Sequence, residues 1–189
     1  MEKPELYFPR DVEWREWLEI NHNRYQQGVY LIFNKLETKI PTMRWEEAVK
    51  VALCFGWIDA TVKSLGGGKR RQYFCPRRKK SGWSALNKQY IEELDLAGLM
   101  HESGWQRIQQ ALEDGSWTKL DDIEKGIIPE PLQAAFHLNP MAYENFNNFS
   151  PGYRKSYIRW VTEAKREETR NKRIAEVVRL CAANIKARN

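Results

Sequence analysis

Asp59 and Lys63 lie four residues apart in the run Trp57-Ile58-Asp59-Ala60-Thr61-Val62-Lys63, and Arg77 and Arg78 follow beyond a glycine-rich turn. A carboxylate beside cations can serve as a general acid or base, and an arginine fork can grip phosphate or carboxylate with two parallel hydrogen bonds. On an extended strand, residues four apart share a face, which places Asp59 and Lys63 together. Ser81, Trp83, Ser84 and Asn87 come next, where a helix beginning near Ala85 would present unpaired backbone N–H groups that attract anions. These eight residues outline a candidate oxyanion pocket. A structural reading competes with it: Asp59 is ion-paired to an arginine, and the motif fixes a hairpin against a helix. No complete catalytic constellation is present and no catalytic residue is assigned. An enzyme using Asp59 as acid or base is kept as an alternative.

Charge points the same way. Between Thr61 and Ile91 there are nine Lys and Arg residues and no acid, and from Tyr153 to Asn189 eleven against four Glu, while the whole chain carries only +6. Positive charge gathered into two segments calls for an anion, so the expected partner is an anionic small molecule or a polyanion. Nucleic acid is a second expectation, because Tyr73, Phe74, Trp83 and Tyr90 interleave with the bases of the first segment. Tyr73 and Phe74 are consecutive, however, so a strand sends them to opposite faces. The basic C-terminal stretch from Arg154 to Arg188 is amphipathic, and its apolar stripe reads first as core.

Other chemistry is sparse. His22, His101 and His137 are dispersed, without metal spacing, and are expected at helix ends or surfaces. Of the three cysteines, Cys54 and Cys181 occupy apolar positions, and only Cys75 has the electropositive surroundings that could activate a thiol. Gly66-Gly67-Gly68-Lys69 lacks the spacing of a phosphate loop. No metal and no cofactor are expected.

The elements that must position these residues follow from periodicity. A helix is predicted over Val12–Ile20 with Asp11 as its cap, and a buried strand over Val29–Phe33. Trp45, Ala48, Val49, Ala52 and Leu53 mark an amphipathic helix closed by Gly56. Trp57–Val62 and Arg71–Cys75 read as a hairpin turning at the three glycines. Ser84 caps a helix from Ala85 to Ala97, and another spans Trp105–Leu112. Trp117–Pro131 reads as a connector. Beyond it, Leu132–Leu138 and Met141–Phe146 are short helices, and Ser150-Pro151 starts a longer one. Apolar stripes at Tyr157, Trp160, Val161 and Ala164 and at Ile174, Val177, Val178, Cys181 and Ile185 leave open whether 151–185 is one helix or two.

With 189 residues, 42% apolar content and eight Trp, the chain can bury a proper core. The expected class is α+β: a small antiparallel sheet packed with helices over residues 1–125, then a helical C-terminal module over 126–189. The first residues carry acids and prolines where a signal peptide needs an apolar run, no segment is long and apolar enough to span a bilayer, and the cysteine count is odd. The expected location is the cytoplasm. Oligomeric state is not specified by these features.

Three segments stand out: Ala52–Asp59, Phe74–Arg78 with Ser81–Ser84 and Asn87, and Tyr157–Val161 with Ala164–Arg166, Glu168–Arg170, Arg173 and Ile174. Read together they resemble the YdeI/OmpD-associated, or bacteriocin-protection (OmdA-type), family. The resemblance implies an α+β region followed by a helical module, an accessory role linked to resistance against antimicrobial peptides or bacteriocins, and no established reaction. Ala60 stands where that family has glycine, and Cys75 where it has a hydroxyl residue. Glu167 replaces a common proline, which permits one longer C-terminal helix.

Overall fold

A tryptophan on the first helix organises the N-terminal half. In a computed structural model describing residues 3–186, Trp14 of α1 (Asp11–Asn21) is fully buried. It stacks on Trp17 at 5.3 Å, meets Phe74 and Trp57 edge-on at 5.9 and 6.2 Å, and donates Nε1–H to the Ala48 carbonyl at 3.2 Å. Buried rings of this size dominate a core's energetics. Asp11 is the first helical residue and accepts from Val12 N–H, so the N-cap is Arg10 and not Asp11.

The sheet runs β1-β2-β4-β3 with β1 (Glu5–Leu6), β2 (Val29–Asn34), β3 (Trp57–Gly66) and β4 (Lys69–Pro76). Three strands pair antiparallel as expected. The two-residue β1 adds a parallel edge beside β2, too short for any period to announce it. Phe74 lies opposite both Val29 and Asp59, so these side chains share the core face. Helix α2 (Trp45–Cys54) packs Ala48, Val49, Ala52 and Leu53 into that core and ends at Phe55, with Gly56 in the left-handed conformation (φ 71°). Helices α3 (Ala85–Leu96) and α4 (Glu102–Glu113) complete the unit, which ends at Lys119.

The second unit begins at Leu120 and is helical: α5 (Asp121–Glu124), α6 (Glu130–His137), α7 (Pro140–Asn148), α8 (Pro151–Thr162) and α9 (Glu167–Ala182). Its core joins Leu132, Phe136, Phe146, Tyr157, Val161, Val177 and Cys181, with Phe136 and Phe146 rings 4.9 Å apart. Within the stretch read as a connector, Leu120 and Ile123 are buried. Ser150 makes no side-chain cap at the start of α8. Despite Glu167, the chain breaks between α8 and α9. The Trp160 and Ala164 carbonyls at that break accept from Arg173 and Arg170 of the following helix, so the turn is satisfied by guanidinium groups. The apolar stripe of this basic stretch thus faces its own core through Tyr157, Ile174 and Val177, while Ile185 is exposed and Arg188 lies outside the described residues. No helix among the described residues is long and apolar enough to cross a membrane.

Candidate functional site

Asp59 and Lys63 are separated by a bulge. Asp59 pairs with Phe74 and Val62 with Gln72, so β3 uses three steps where β4 uses two. The extra residue reverses the alternation, and Lys63, opposite Arg71, comes out on the face away from Asp59. The shared face inferred from a four-residue spacing is therefore absent. Asp59 Oδ2 instead accepts Trp45 Nε1–H at 3.0 Å and Gln72 Nε2–H at 2.5 Å. No arginine is ion-paired with it among the described residues. Its carboxylate ties the start of α2 to the sheet.

Arg77 is the centre of the second cluster. Only 4% of it is exposed. Its guanidinium lies over Trp83, with Cζ 3.5 Å from the ring centroid, and donates to the Gly82 carbonyl at 3.2 Å and Asn87 Oδ1 at 2.6 Å. Ser84 Oγ accepts from Asn87 N–H, fixing the first turn of α3 under it, and Ser81 N–H closes a turn onto the Arg78 carbonyl. Five of the eight expected residues, Arg77, Ser81, Trp83, Ser84 and Asn87, thus come together. Trp83, Ser84 and Asn87 cradle Arg77, Ser81 turns the chain back onto Arg78, and the Arg78 side chain reaches solvent. Arg77 Nε is buried without a partner among the described residues. Burial without a carboxylate in contact pushes its pKa down to about 9, against a smaller opposing pull from Asp59 and Cys75.

Arg77 and Arg78 line a cleft of about 370 Å³ together with Lys3, Arg107, Tyr73, Cys75, Gln26 and neighbours, none of them acidic. Lys3 Nζ sits 3.9 Å over the Tyr73 ring, and the Tyr73 hydroxyl donates to the Gln27 carbonyl. Among the described residues none of the four cations is in an ion pair. Arg107 arrives from α4 by close packing. Gly104 lies against the Cys54 carbonyl, where a Cβ would stand 2.2 Å from the oxygen, and a Cβ on Gly56 would stand 2.4 Å from Arg107 Cγ. Two glycines 48 residues apart in the chain thus let the Arg107 stem cross the end of α2. Lys3 and Arg107 carry no local signal that spacing could reveal.

Further along, His22 at the end of α1 and His101 at the start of α4 come together, ring centroids 5.0 Å apart, both against Phe55. They occupy helix ends as expected, but they are neighbours rather than dispersed. His22 Nδ1–H donates to Leu18 O, and His101 Nδ1 accepts from Ser103 N–H. No group of three or more His, Cys, Asp or Glu among the described residues is placed to hold a metal. Burial raises the Cys75 thiol pKa despite the opposing pull of Tyr73, Arg78, Lys3 and Arg77, so its cationic setting does not activate it. Phe74, Trp83 and Tyr90 are core residues, which leaves Tyr73 as the outward ring of the four considered for base stacking.

The family model for a domain of unknown function (DUF8412) matches residues 6–107, more than half of the chain. The chain belongs to the DUF8412 family. A second model, described as bacteriocin-protection, YdeI or OmpD-associated (OmdA), matches residues 125–184. The similarity read from the sequence is therefore shown for the helical C-terminal domain, which holds the Tyr157–Ile174 segment. Ala52–Asp59 and Phe74–Asn87 fall in the DUF8412 match. Every residue named above as lining the basic cleft except Lys3 lies within that match. No curated protein and no solved structure matches the chain.

Proposed function

We propose that this DUF8412 protein is a non-enzymatic accessory protein that binds a small phosphate- or carboxylate-bearing ligand in the cleft formed by Lys3, Arg77, Arg78 and Arg107. One observation carries the reading: four cations line a concave, acid-free site, one of them a buried guanidinium with an unsatisfied donor. An anion entering there would compensate charge that the protein leaves uncompensated, and each charge-assisted hydrogen bond is worth about 1.5–3 kcal/mol. The ligand set thus shifts from the one read in the sequence. Lys63 and Asp59 leave it, Lys3 and Arg107 enter, and Trp83, Ser84 and Asn87 support Arg77 from behind. Three free thiols, two of them in cores, suit a reducing cytoplasm. The description of the OmdA family, bacteriocin protection, gives the setting in which such binding would act.

Calorimetric titration with inorganic phosphate, pyrophosphate and citrate, at low and high ionic strength, tests the reading. Arg78→Ala plus Arg107→Ala spares the Arg77 cradle and should weaken binding by at least about tenfold, roughly 1.4 kcal/mol. Unchanged titration curves in a variant with native circular dichroism would remove the proposal.

A further inference from the structure

The basic cleft does not end at Arg107. Gln26, Pro76 and Arg107 also line an adjoining cleft of about 260 Å³ whose character is different. Its polar lining is neutral amide and hydroxyl: Asn23, Ser103, Gln106 and Gln110 beside the shared Gln26. Its apolar lining is Phe55, Trp57 and Pro76, with His22 against Phe55. Several of the amides are held by one atom and keep the other for a ligand. Gln26 Nε2–H donates to the Asn23 carbonyl, which leaves Oε1; Gln110 Oε1 accepts from Arg107 Nη1–H, which leaves Nε2. Side-chain amides offer both donors and acceptors, the pattern that hydroxyl groups need, while Phe55 and Trp57 are buried beside them, so the amides carry the recognition.

We propose that the two clefts form one bipartite site for a phosphate ester of a hydroxyl-rich organic group, a sugar phosphate in chemical class. The proposal rests on the anion-binding reading of the basic half. The phosphate occupies the cationic half, and the polyol lies along the amides of the neutral half. Arg107 belongs to both halves. Its guanidinium is oriented by Gln110, and its stem is clamped over Gly56, so it sets the distance between the two subsites. A bare anion would use half of this site, and an aliphatic anion would leave the amides unpaired.

The test is a titration of the full chain with inorganic phosphate, D-glucose 6-phosphate and D-glucose. The expected result is binding of the ester at least about tenfold tighter than inorganic phosphate, with the neutral sugar alone weakest. Asn23→Ala plus Gln106→Ala, which keeps the Gln110 contact that orients Arg107, should bring the ester down towards inorganic phosphate while leaving inorganic phosphate itself unchanged. Arg78→Ala should weaken both anions together. Equal affinity for phosphate and its ester in the wild type, or an ester affinity indifferent to the amide variant, overturns the bipartite site and leaves the basic cleft standing. Failure of both anions to bind overturns both readings.

Discussion

Gly56 and Arg107 are in contact through an arrangement open only to glycine: residue 56 has φ 71°, and a Cβ there would meet Arg107 Cγ at 2.4 Å. The Gly56→Ala variant should lose about 1–2 kcal/mol from the left-handed backbone alone, and more from the clash. Arg107→Ala in the same background removes the Cγ clash and leaves the Ser103 carbonyl at 2.9 Å, so the two changes should be less than additive in a double-mutant cycle read by urea unfolding. Strict additivity would show that the stem does not cross residue 56 in solution.

Arg77 gives a pH signature. Burial lowers its folded pKa to about 9, well below the ordinary guanidinium range. Above pH 9 the unfolded chain binds the proton more tightly, so this group's unfavourable term is full below pH 9 and is relieved as pH rises. Wild type should therefore gain stability relative to Arg77→Met between pH 8 and pH 10.5 by up to about 1.4 kcal/mol per unit above 9. Parallel pH profiles for the two proteins would rule out a buried, uncompensated guanidinium.

Asp59 should behave as a structural acceptor. Asp59→Ala strands the Trp45 indole N–H and the Gln72 amide and should cost about 1–3 kcal/mol in chemical unfolding. Anion affinity in the basic cleft should stay within about twofold of wild type, since no carboxylate lines it. A large change in affinity with stability intact would put Asp59 back in the site.

The thiols should be ordered by burial. Burial pushes Cys181 up to about 12 and raises both Cys54 and Cys75. Iodoacetamide at pH 7.5 should modify Cys75 more slowly than a free thiol and leave Cys54 and Cys181 intact until denaturant is added, as read by peptide mass spectrometry. Rapid labelling of Cys75 would mean that its cationic neighbours outweigh its burial.

Much of the architecture was legible because it is local. Helical spacing from Trp45 to Leu53, the Ser84 cap and the three glycines of the hairpin are each settled within a few residues of sequence. Convergence of Arg77, Trp83, Ser84 and Asn87 was legible for the same reason: they span a turn and the first coil of a helix. What spacing misjudged was the relation of Asp59 to Lys63, because a single inserted residue on β3 reverses alternation and leaves no mark in composition. Lys3, Arg107 and the His22–His101 pair were invisible for a different reason. Each owes its place to contacts spanning tens of residues, and for Arg107 these depend on glycines whose role appears only when two segments touch.

The bulge between Asp59 and Val62 has a second effect. β3 is the terminal strand of the sheet, mostly uncovered from Ala60 onward, and its pairing with β4 is interrupted again between Ser64 and Gly66. A flat border of that length would be a template for another copy of the chain to zip onto. Two register shifts and an exposed lysine make that border a poor template for a regular ladder, so the irregularity that dismantles one imagined pocket also disfavours edge-to-edge strand pairing.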